Sequence, residues 1–502
     1  MGEFSDYQEM SMLNRAILMV GASLMLAPSI AACGDGAVRA ESASAAVQSK
    51  IAWRQCPGGQ GDVQCGTVSV PLDWSRPSGR RIEIAIVRRA ATRPSSRIGT
   101  LVFLPGGPGQ SGVDTIAGQP HFGGLEKRFD IVSLDPRGVG KSSPLTCPTR
   151  QTIKAVGNRL PRTDRELATL RERNRALADA CRKATGPVFD HLDTASAARD
   201  LDAVRTALGE RRISLYGHSY GTLLGQQYAA MFGAHVRAAV LDGIMDHSAP
   251  RRRFAVTAAN AFDESFDQFA RWCARTSSCA LHGSRPADVY RRVVAKAQNG
   301  ELAGTDESGF KWTPFTVAGE VDAMLWTPSW SATASFLKTL DAGKPWPSDP
   351  EGELPATINY ADPIVCQDFA MGYPNGSALR GDLETSAIAA PLVGYSPNAM
   401  KSILTCQGWP TPVRDPQSNA TGTTAAPMLL VESRYDNATP AAWSRQVARQ
   451  LGPEARLVIL RDWTHGMKVF TPGCESKMIN DYLDGLRLPD AGVRCGSTPP
   501  TS

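Results

Sequence analysis

Residues 217–221 read Gly217-His218-Ser219-Tyr220-Gly221, a serine with a glycine two residues away on either side. An apolar stretch, Ile213-Ser214-Leu215-Tyr216, runs into this segment. Leu223, Leu224, Tyr228, Ala229, Met231 and Phe232 follow it at helical spacing. Gly-x-Ser-x-Gly between a strand and a helix is the signature of a sharp turn that presents a serine hydroxyl. The glycines relieve crowding and let the backbone take strained dihedrals. The positive end of the following helix then points at the serine oxygen. The chemistry this suits is nucleophilic attack by Ser219 on a carbonyl carbon.

A serine nucleophile needs a base. The chain has seven histidines, at 121, 191, 218, 235, 247, 282 and 465. Where the nucleophile sits on a strand-to-helix turn, the acid and then the histidine follow it along the chain. Beyond the helix after Ser219 the choices are His247, His282 and His465. Only His465 ends a late β-branched run, Leu457-Val458-Ile459-Leu460, through the loop Arg461-Asp462-Trp463-Thr464. His465 is therefore the predicted general base.

The preceding strand, Pro427 to Glu432, opens into the loop Ser433-Arg434-Tyr435-Asp436-Asn437-Ala438-Thr439-Pro440. Asp436 is the predicted acid that orients the imidazole and stabilises the imidazolium. Two alternatives stand beside it. Asp462 lies three residues before His465, a short span for reaching around the ring. Asp242 and Asp246 follow the strand Ala238-Ala239-Val240-Leu241, a second place where such an acid can sit.

A glycine-rich segment, Pro105-Gly106-Gly107-Pro108-Gly109-Gln110-Ser111-Gly112, follows the buried-strand sequence Leu101-Val102-Phe103-Leu104. Glycine there lets backbone N–H groups approach a substrate oxygen closely. The predicted oxyanion donors are the N–H of Tyr220 and that of Gly107 or Gly106. A phosphate-binding loop is the competing reading, but the segment lacks both the G-K-[ST] ending and the G-x-G-x-x-G order.

These segments need a scaffold. Strand patterns near 67–71, 82–88, 99–104, 130–134, 213–217 and 236–241 alternate with helical patterns at 165–184 and 194–208, the rhythm of a doubly wound sheet. From about 249 to 415 that rhythm stops. Phe262, Phe266, Phe269 and Trp272, then Val321, Met324, Leu325 and Trp326, recur at helical spacing. These aromatic and apolar side chains read first as the core of a helical lid and second as a wall of a substrate pocket. The boundaries read as a core at 51–248 and 416–502, interrupted by the lid at 249–415.

Pro105–Gly109, Asp135-Pro136-Arg137-Gly138-Val139-Gly140-Lys141-Ser142 and Gly217–Thr222 together resemble the tripeptidyl aminopeptidase and proline iminopeptidase branch of the α/β-hydrolases. Cys366-Gln367-Asp368, Cys406-Gln407-Gly408-Trp409-Pro410 and Trp463-Thr464-His465-Gly466 are similar to segments of bacterial tripeptidyl-aminopeptidase-like proteins. The resemblance runs from about Trp53 to Cys495. Leu104 and Gln110 depart from the Asn and Gly of many relatives. The resemblance implies an α/β-hydrolase fold, a mostly parallel doubly wound sheet with an inserted, mainly helical lid. It also implies a serine hydrolase with no cofactor, acting on a small peptide or ester. An aminopeptidase of this kind must capture a free α-amine, and Glu264, Glu320, Asp322 and Asp368 are the candidate carboxylates in or near the lid. The branch includes carboxylesterases, and fold alone does not separate peptide from ester. A detoxifying hydrolase of a lactone, amide or antibiotic is a further alternative. A non-catalytic binding protein on the same fold is disfavoured by the intact Ser219, Asp436 and His465.

The N-terminus bears on compartment. One arginine, Arg15, precedes an apolar stretch too short and too near the terminus for a stable membrane span. It ends in Ile30-Ala31-Ala32-Cys33, which resembles a bacterial lipobox with Cys33 as the lipidated residue. Ordinary cleavage after Ala32 is the alternative, giving a secreted protein rather than a periplasmic or cell-envelope lipoprotein. The acidic first eleven residues are unusual for a signal peptide. Gly34 to Lys50, rich in Ala and Ser, reads as a flexible tether. Of the 11 cysteines, ten remain after Cys33, an even set that suits disulfides in an exported chain. Chain order and the family's pattern favour Cys56–Cys65, Cys147–Cys181, Cys273–Cys279, Cys366–Cys406 and Cys474–Cys495. No C-x-x-C occurs and no His stands at ligand spacing from a Cys, which argues against zinc. A net charge of +5 with 21% charged residues is mild. Arg251-Arg252-Arg253 reads as a solvated helix start rather than a nucleic-acid patch.

Overall fold

The computed structural model describes residues 51–495 apart from 59–61, 120, 156–159, 307–308, 348–354, 471, 491–492 and 494. The signal-like segment at 1–33, with Cys33, and the tether at 34–50 lie outside the described residues.

The strands are β1 (Arg54–Gln55), β2 (Val63–Pro71), β3 (Arg81–Arg89), β4 (Gly99–Leu104), β5 (Phe129–Leu134), β6 (Thr146–Pro148), β7 (Ile213–His218), β8 (Val236–Asp242), β9 (Thr357–Asn359), β10 (Met428–Ser433) and β11 (Ala455–Leu460). Nine of them form one sheet in the order β1-β2-β3-β5-β4-β7-β8-β10-β11. β1, β2, β3 and β5 are joined by antiparallel ladders, and every pairing from β5 across to β11 is parallel. All six residues of β4, of β7 and of β10 are buried. Strands buried on both faces must be apolar throughout, which is why Leu101–Leu104 and Met428–Val431 read as continuous apolar runs rather than alternating ones.

Helices cover both faces. In chain order they are α1 (Gly112–Gly118), α2 (Thr149–Ala155), α3 (Asp164–Thr185), α4 (Thr194–Ala207) and α5 (Tyr220–Phe232). Between β8 and β10 come α6 (Arg251–Arg275), α7 (Pro286–Asn299), α8 (Pro314–Trp326), α9 (Trp330–Asp341), α10 (Val365–Asp368), α11 (Gly376–Ala389) and α12 (Pro397–Thr405). The last two are α13 (Ala441–Leu451) and α14 (Cys474–Gly485).

The segment between β8 and β10 carries a core of its own. Phe262, Phe266, Phe269, Trp272 and Trp330 cluster there with Val321 and Leu325, and Trp463 of the C-terminal part joins them. Trp326 is only half-buried. The segment is not wholly helical: β9 pairs antiparallel with β6, tying it back to the chain before α3. The arginine run at 251–253 opens α6, but it is not simply solvated. Arg251 and Arg252 both reach Asp382, at 3.0 and 2.8 Å, and Arg253 reaches Asp246 at 2.8 Å.

The Asp135–Ser142 segment is an internal brace. Arg137 is fully buried and forks onto Asp200, with Nε to Oδ2 at 2.7 Å and Nη2 to Oδ1 at 2.6 Å. Its remaining donors reach the carbonyls of Leu72, His191 and Pro71. A buried charge is tolerated only when paired and hydrogen-bonded in this way. Arg137→Met leaves Asp200 as an uncompensated buried carboxylate, so the expected loss is about 3–5 kcal/mol of unfolding free energy. Denaturant unfolding of the purified variant checks it, and a loss under about 1 kcal/mol contradicts the account.

Five disulfides join Cys56–Cys65, Cys147–Cys181, Cys273–Cys279, Cys366–Cys406 and Cys474–Cys495. They fit an oxidising, extracytosolic compartment. Among the described residues, no helix is long and apolar enough to cross a membrane.

Candidate active site

Ser219 sits between the end of β7 and the first residue of α5, with φ 54° and ψ −121°. Positive φ is uncommon for a residue with a Cβ and signals imposed strain. The turn is pinned from both sides. Ser219 N–H donates to the Asp242 carbonyl at 3.0 Å, and Thr222 donates to the Ser219 carbonyl through N–H at 2.9 Å and through its hydroxyl at 2.7 Å. Gly221 has no substitute, because a Cβ there would lie 2.1 Å from the Leu104 carbonyl oxygen. That contact brings the end of β4, and so the glycine-rich loop after it, against the Ser219 turn.

His465 and Asp436 arrive on the loops after β11 and β10, neighbours in the sheet. His465 Nε2 lies 3.0 Å from Ser219 Oγ, and His465 Nδ1 lies 2.7 Å from Asp436 Oδ2. A carboxylate can only accept, so Nδ1 carries the hydrogen and Nε2 is left to accept the serine proton. Asp436 is buried, and its Oδ1 accepts the N–H groups of Ala438 and Thr439 at 2.7 and 2.8 Å. Thr439 Oγ1 donates to Asp436 Oδ2 at 2.9 Å and also lies 3.2 Å from His465 Nδ1. Ser219 and His465 remain half-buried, open enough to meet a substrate.

The other acids are committed elsewhere. Asp242 Oδ2 accepts the Tyr216 hydroxyl and the Lys468 N–H, the latter at 2.8 Å, and burial pushes its carboxyl upward. Asp246 takes Ser248 and Arg253, and Asp462 pairs with the Lys468 ammonium. Asp436 is the carboxylate that His465 meets among the described residues. His247 binds the carbonyls of Asp368 and Asp415, and His282 lies against the Cys273 carbonyl.

His218 adds an unforeseen feature. Its ring is buried against His465, with centroids 4.9 Å apart, and its Nδ1 has no hydrogen-bond partner. Burial first, then His465 and Lys468, push it well below the usual histidine range, so it stays neutral and puts no charge beside the catalytic-type imidazole. Room for it comes from Gly466, at φ 63°, where a Cβ would fall 1.9 Å from His218 Cε1.

Of the candidate oxyanion donors, the Gly106 N–H is taken by Gln110 Oε1 at 3.0 Å. Gly106 is buried and so close to Ser219 that a Cβ on it would stand 3.1 Å from Ser219 Cβ. Gln110 therefore acts as a clip on the loop, leaving the exposed Gly107 and the Tyr220 N–H at the start of α5 as the candidate pair. Asp135 fixes the far end of the loop by accepting from Ser111 Oγ at 2.7 Å and from Val113 N at 3.0 Å. The Tyr220 hydroxyl is anchored to Thr194 Oγ1 at 2.6 Å, and Thr194 donates in turn to Asp368 at 2.6 and 2.7 Å.

That arrangement separates the four candidate amine ligands. Asp368 and Asp322 are fully buried with internal partners. Glu264 is half-buried and pairs with Arg434 at 2.6 Å, beside the loop that carries Asp436, and Glu320 is half-buried on α8. Thr439 could have been found from its place three residues after Asp436, the spacing of an Asp side chain that closes on its own loop. Helical spacing marks the Trp326 side chain, but nothing in the sequence marks its carbonyl, which accepts the His465 N–H at 2.8 Å.

The chain is 29% identical over 486 residues to a tripeptidyl aminopeptidase of Streptomyces lividans, covering 90% of this chain and 88% of that protein. It is 28% identical over 494 residues to the serine protease Hip1 of Mycobacterium tuberculosis, with 91% and 93% covered. It is 29% identical over 517 residues to a protein named carboxylesterase B from Mycobacterium tuberculosis, with 97% of each covered. A family profile described as the alpha/beta hydrolase fold matches residues 99–470, a span that runs from β4 past His465. The chain belongs to the α/β-hydrolase family and is a serine hydrolase.

Proposed function

We propose that this protein is an exported aminopeptidase that releases short N-terminal peptides or single residues through an acyl-enzyme on Ser219. The observation that carries the proposal is the unbroken chain from Asp436 through His465 to Ser219, at 2.7 and 3.0 Å, beside a glycine loop. The similarity to a protein named tripeptidyl aminopeptidase supports the substrate class.

Ser219 Oγ attacks the scissile carbonyl carbon as its proton passes to His465 Nε2. Negative charge develops on the carbonyl oxygen, which the N–H groups of Tyr220 and Gly107 receive at the positive end of α5. His465 returns the proton to the leaving amine, and water repeats the sequence to release the acyl group. Asp436 stabilises the imidazolium in both halves. A free substrate amine needs a carboxylate near the cleft. Asp322 and Asp368 are buried out of reach of a substrate, so the role falls to the half-buried Glu264 and Glu320. Export would follow from the segment ending at Cys33, with a lipid on that cysteine holding the enzyme at the cell envelope.

N-acetylating a good peptidyl-naphthylamide substrate is expected to lower kcat/KM by about 10- to 100-fold, because the amine-binding carboxylate is left without its partner. Steady-state kinetics on the matched pair checks this. Equal rates reject the aminopeptidase reading and favour the carboxylesterase reading, which rests on the relative of that name. A matched p-nitrophenyl ester then becomes the better substrate.

A further inference from the structure

Helix α8 lies in the segment between β8 and β10, yet its last turn and a half touches both loops of the His465–Asp436 pair. Asp322 Oδ1 accepts from Asn437 Nδ2 at 2.6 Å, and the same Nδ2 donates to the Asp322 carbonyl at 2.8 Å. Asn437 is the residue after Asp436, and both are buried. Four residues further along α8, the Trp326 carbonyl accepts the His465 N–H at 2.8 Å, and the two rings lie 6.2 Å apart. Positions i and i+4 share one face of a helix, so a single face holds both catalytic-type loops.

The helix is itself held firmly. Thr313 and Thr316 form a capping box at its start, and Pro314 occupies its first position. Through its second carboxylate oxygen, Oδ2, Asp322 accepts weakly from Asn398 N–H at 3.3 Å and from Ser396 Oγ at 3.4 Å, at the start of α12. Asp322 is 1% exposed, and no face of it is left for a substrate.

We infer that α8 is a fixed strut of the catalytic centre and that Asp322 is a positioning residue, setting the place of Asp436 through Asn437 rather than binding the substrate amine. Without the carboxylate, Asn437 keeps only a backbone acceptor and the Asp436 loop loses its tie to the helix. A misplacement of about 1 Å in a catalytic group costs on the order of 100-fold in rate. Asn at position 322 keeps an Oδ1 acceptor for Asn437 Nδ2 and gives up only the longer Oδ2 contacts to Asn398 N–H and Ser396 Oγ, so it preserves the tie in question. The inference rests on the roles given above to Ser219, His465 and Asp436.

The test uses the purified full chain and p-nitrophenyl acetate, which has no amine, beside a free-amine peptidyl-naphthylamide. Asp322→Ala and Asn437→Ala are each expected to lower kcat by about 10- to 100-fold on both substrates, with KM little changed. The double variant should be no worse than the weaker single, since both remove one link. Asp322→Asn should recover most of the lost kcat. A rise in KM confined to the free-amine substrate, with kcat intact, would instead make Asp322 an amine ligand and overturn the inference. So would an unchanged kcat in Asn437→Ala, which decides the matter if Asp322→Ala does not fold. If Ser219→Ala remains active, the triad assignment fails. If Ser219→Ala is dead while Asp322→Ala and Asn437→Ala are normal, only the strut fails.

Discussion

Ser219→Ala is expected to lower kcat by about a million-fold and to abolish labelling by a fluorophosphonate, with the fold retained. The magnitude follows from how the three groups work together. Without Oγ there is no acyl-enzyme, so His465 and Asp436 have no proton to move, and the loss resembles that from removing all three. What survives is the stabilisation that the oxyanion donors and binding give to attack by water. Structural cost should be small, because Ser219 holds the turn through its own N–H and carbonyl, not its hydroxyl. Alanine keeps those bonds. His465→Ala is expected to fall nearly as far, and the double variant no further, since such losses are not additive. Single-turnover assays and circular dichroism on the same samples check both halves. Activity above a few per cent of the parent, on any ester or peptide, contradicts the account.

Asp436→Asn separates the acid from its rivals and is expected to lower kcat by about 10,000-fold. Asn can turn its amide N–H toward His465 Nδ1, which then accepts and leaves the hydrogen on Nε2. That tautomer cannot take the Ser219 proton across the 3.0 Å gap. KM should move little, because the change acts on the chemical step. Asp242→Asn gives the contrast. Its carboxylate serves the Tyr216 hydroxyl and the Lys468 N–H, so the expected effect is a loss of about 1–3 kcal/mol in stability with the chemical step spared. Kinetic effects in the reverse order would assign the acid to Asp242.

How much of this was legible in the sequence depends on the range of the interaction. Ser219 could be read because its turn is local: strand, glycine, serine, glycine and helix are contiguous, and each residue type has a local reason. His465 could be read because chain order and the end of a β-branched run leave few histidines to choose from. Asp436 was harder, since Asp242 also ends a parallel strand of the same sheet, the one next to β7. What decides between them is the direction each side chain takes. Asp242 turns toward Tyr216 and Asp436 toward His465, and no periodicity reports that. The candidate amine ligands show the same limit more sharply. Four acidic residues in one region look alike in a sequence, but Asp322 and Asp368 are buried and bonded while Glu264 is half-exposed on Arg434. Burial of a charged side chain depends on partners from distant segments: Asn437 stands 115 positions from Asp322, and Thr194 stands 174 from Asp368. The β6–β9 ladder escaped notice for a similar reason, as three-residue strands carry too few residues to show a period.

The central claim is that turnover passes through an acyl group on Ser219, and trapping that group tests it most directly. An activated ester mixed with enzyme and quenched in acid within the first turnover should leave one acyl adduct per chain. Peptide mapping by mass spectrometry should place that adduct on the fragment containing Ser219, with none formed by Ser219→Ala. Burst-phase release of the leaving group at one equivalent per enzyme should accompany it. An adduct on another residue, or turnover with no adduct on Ser219 at any quench time, would contradict the account.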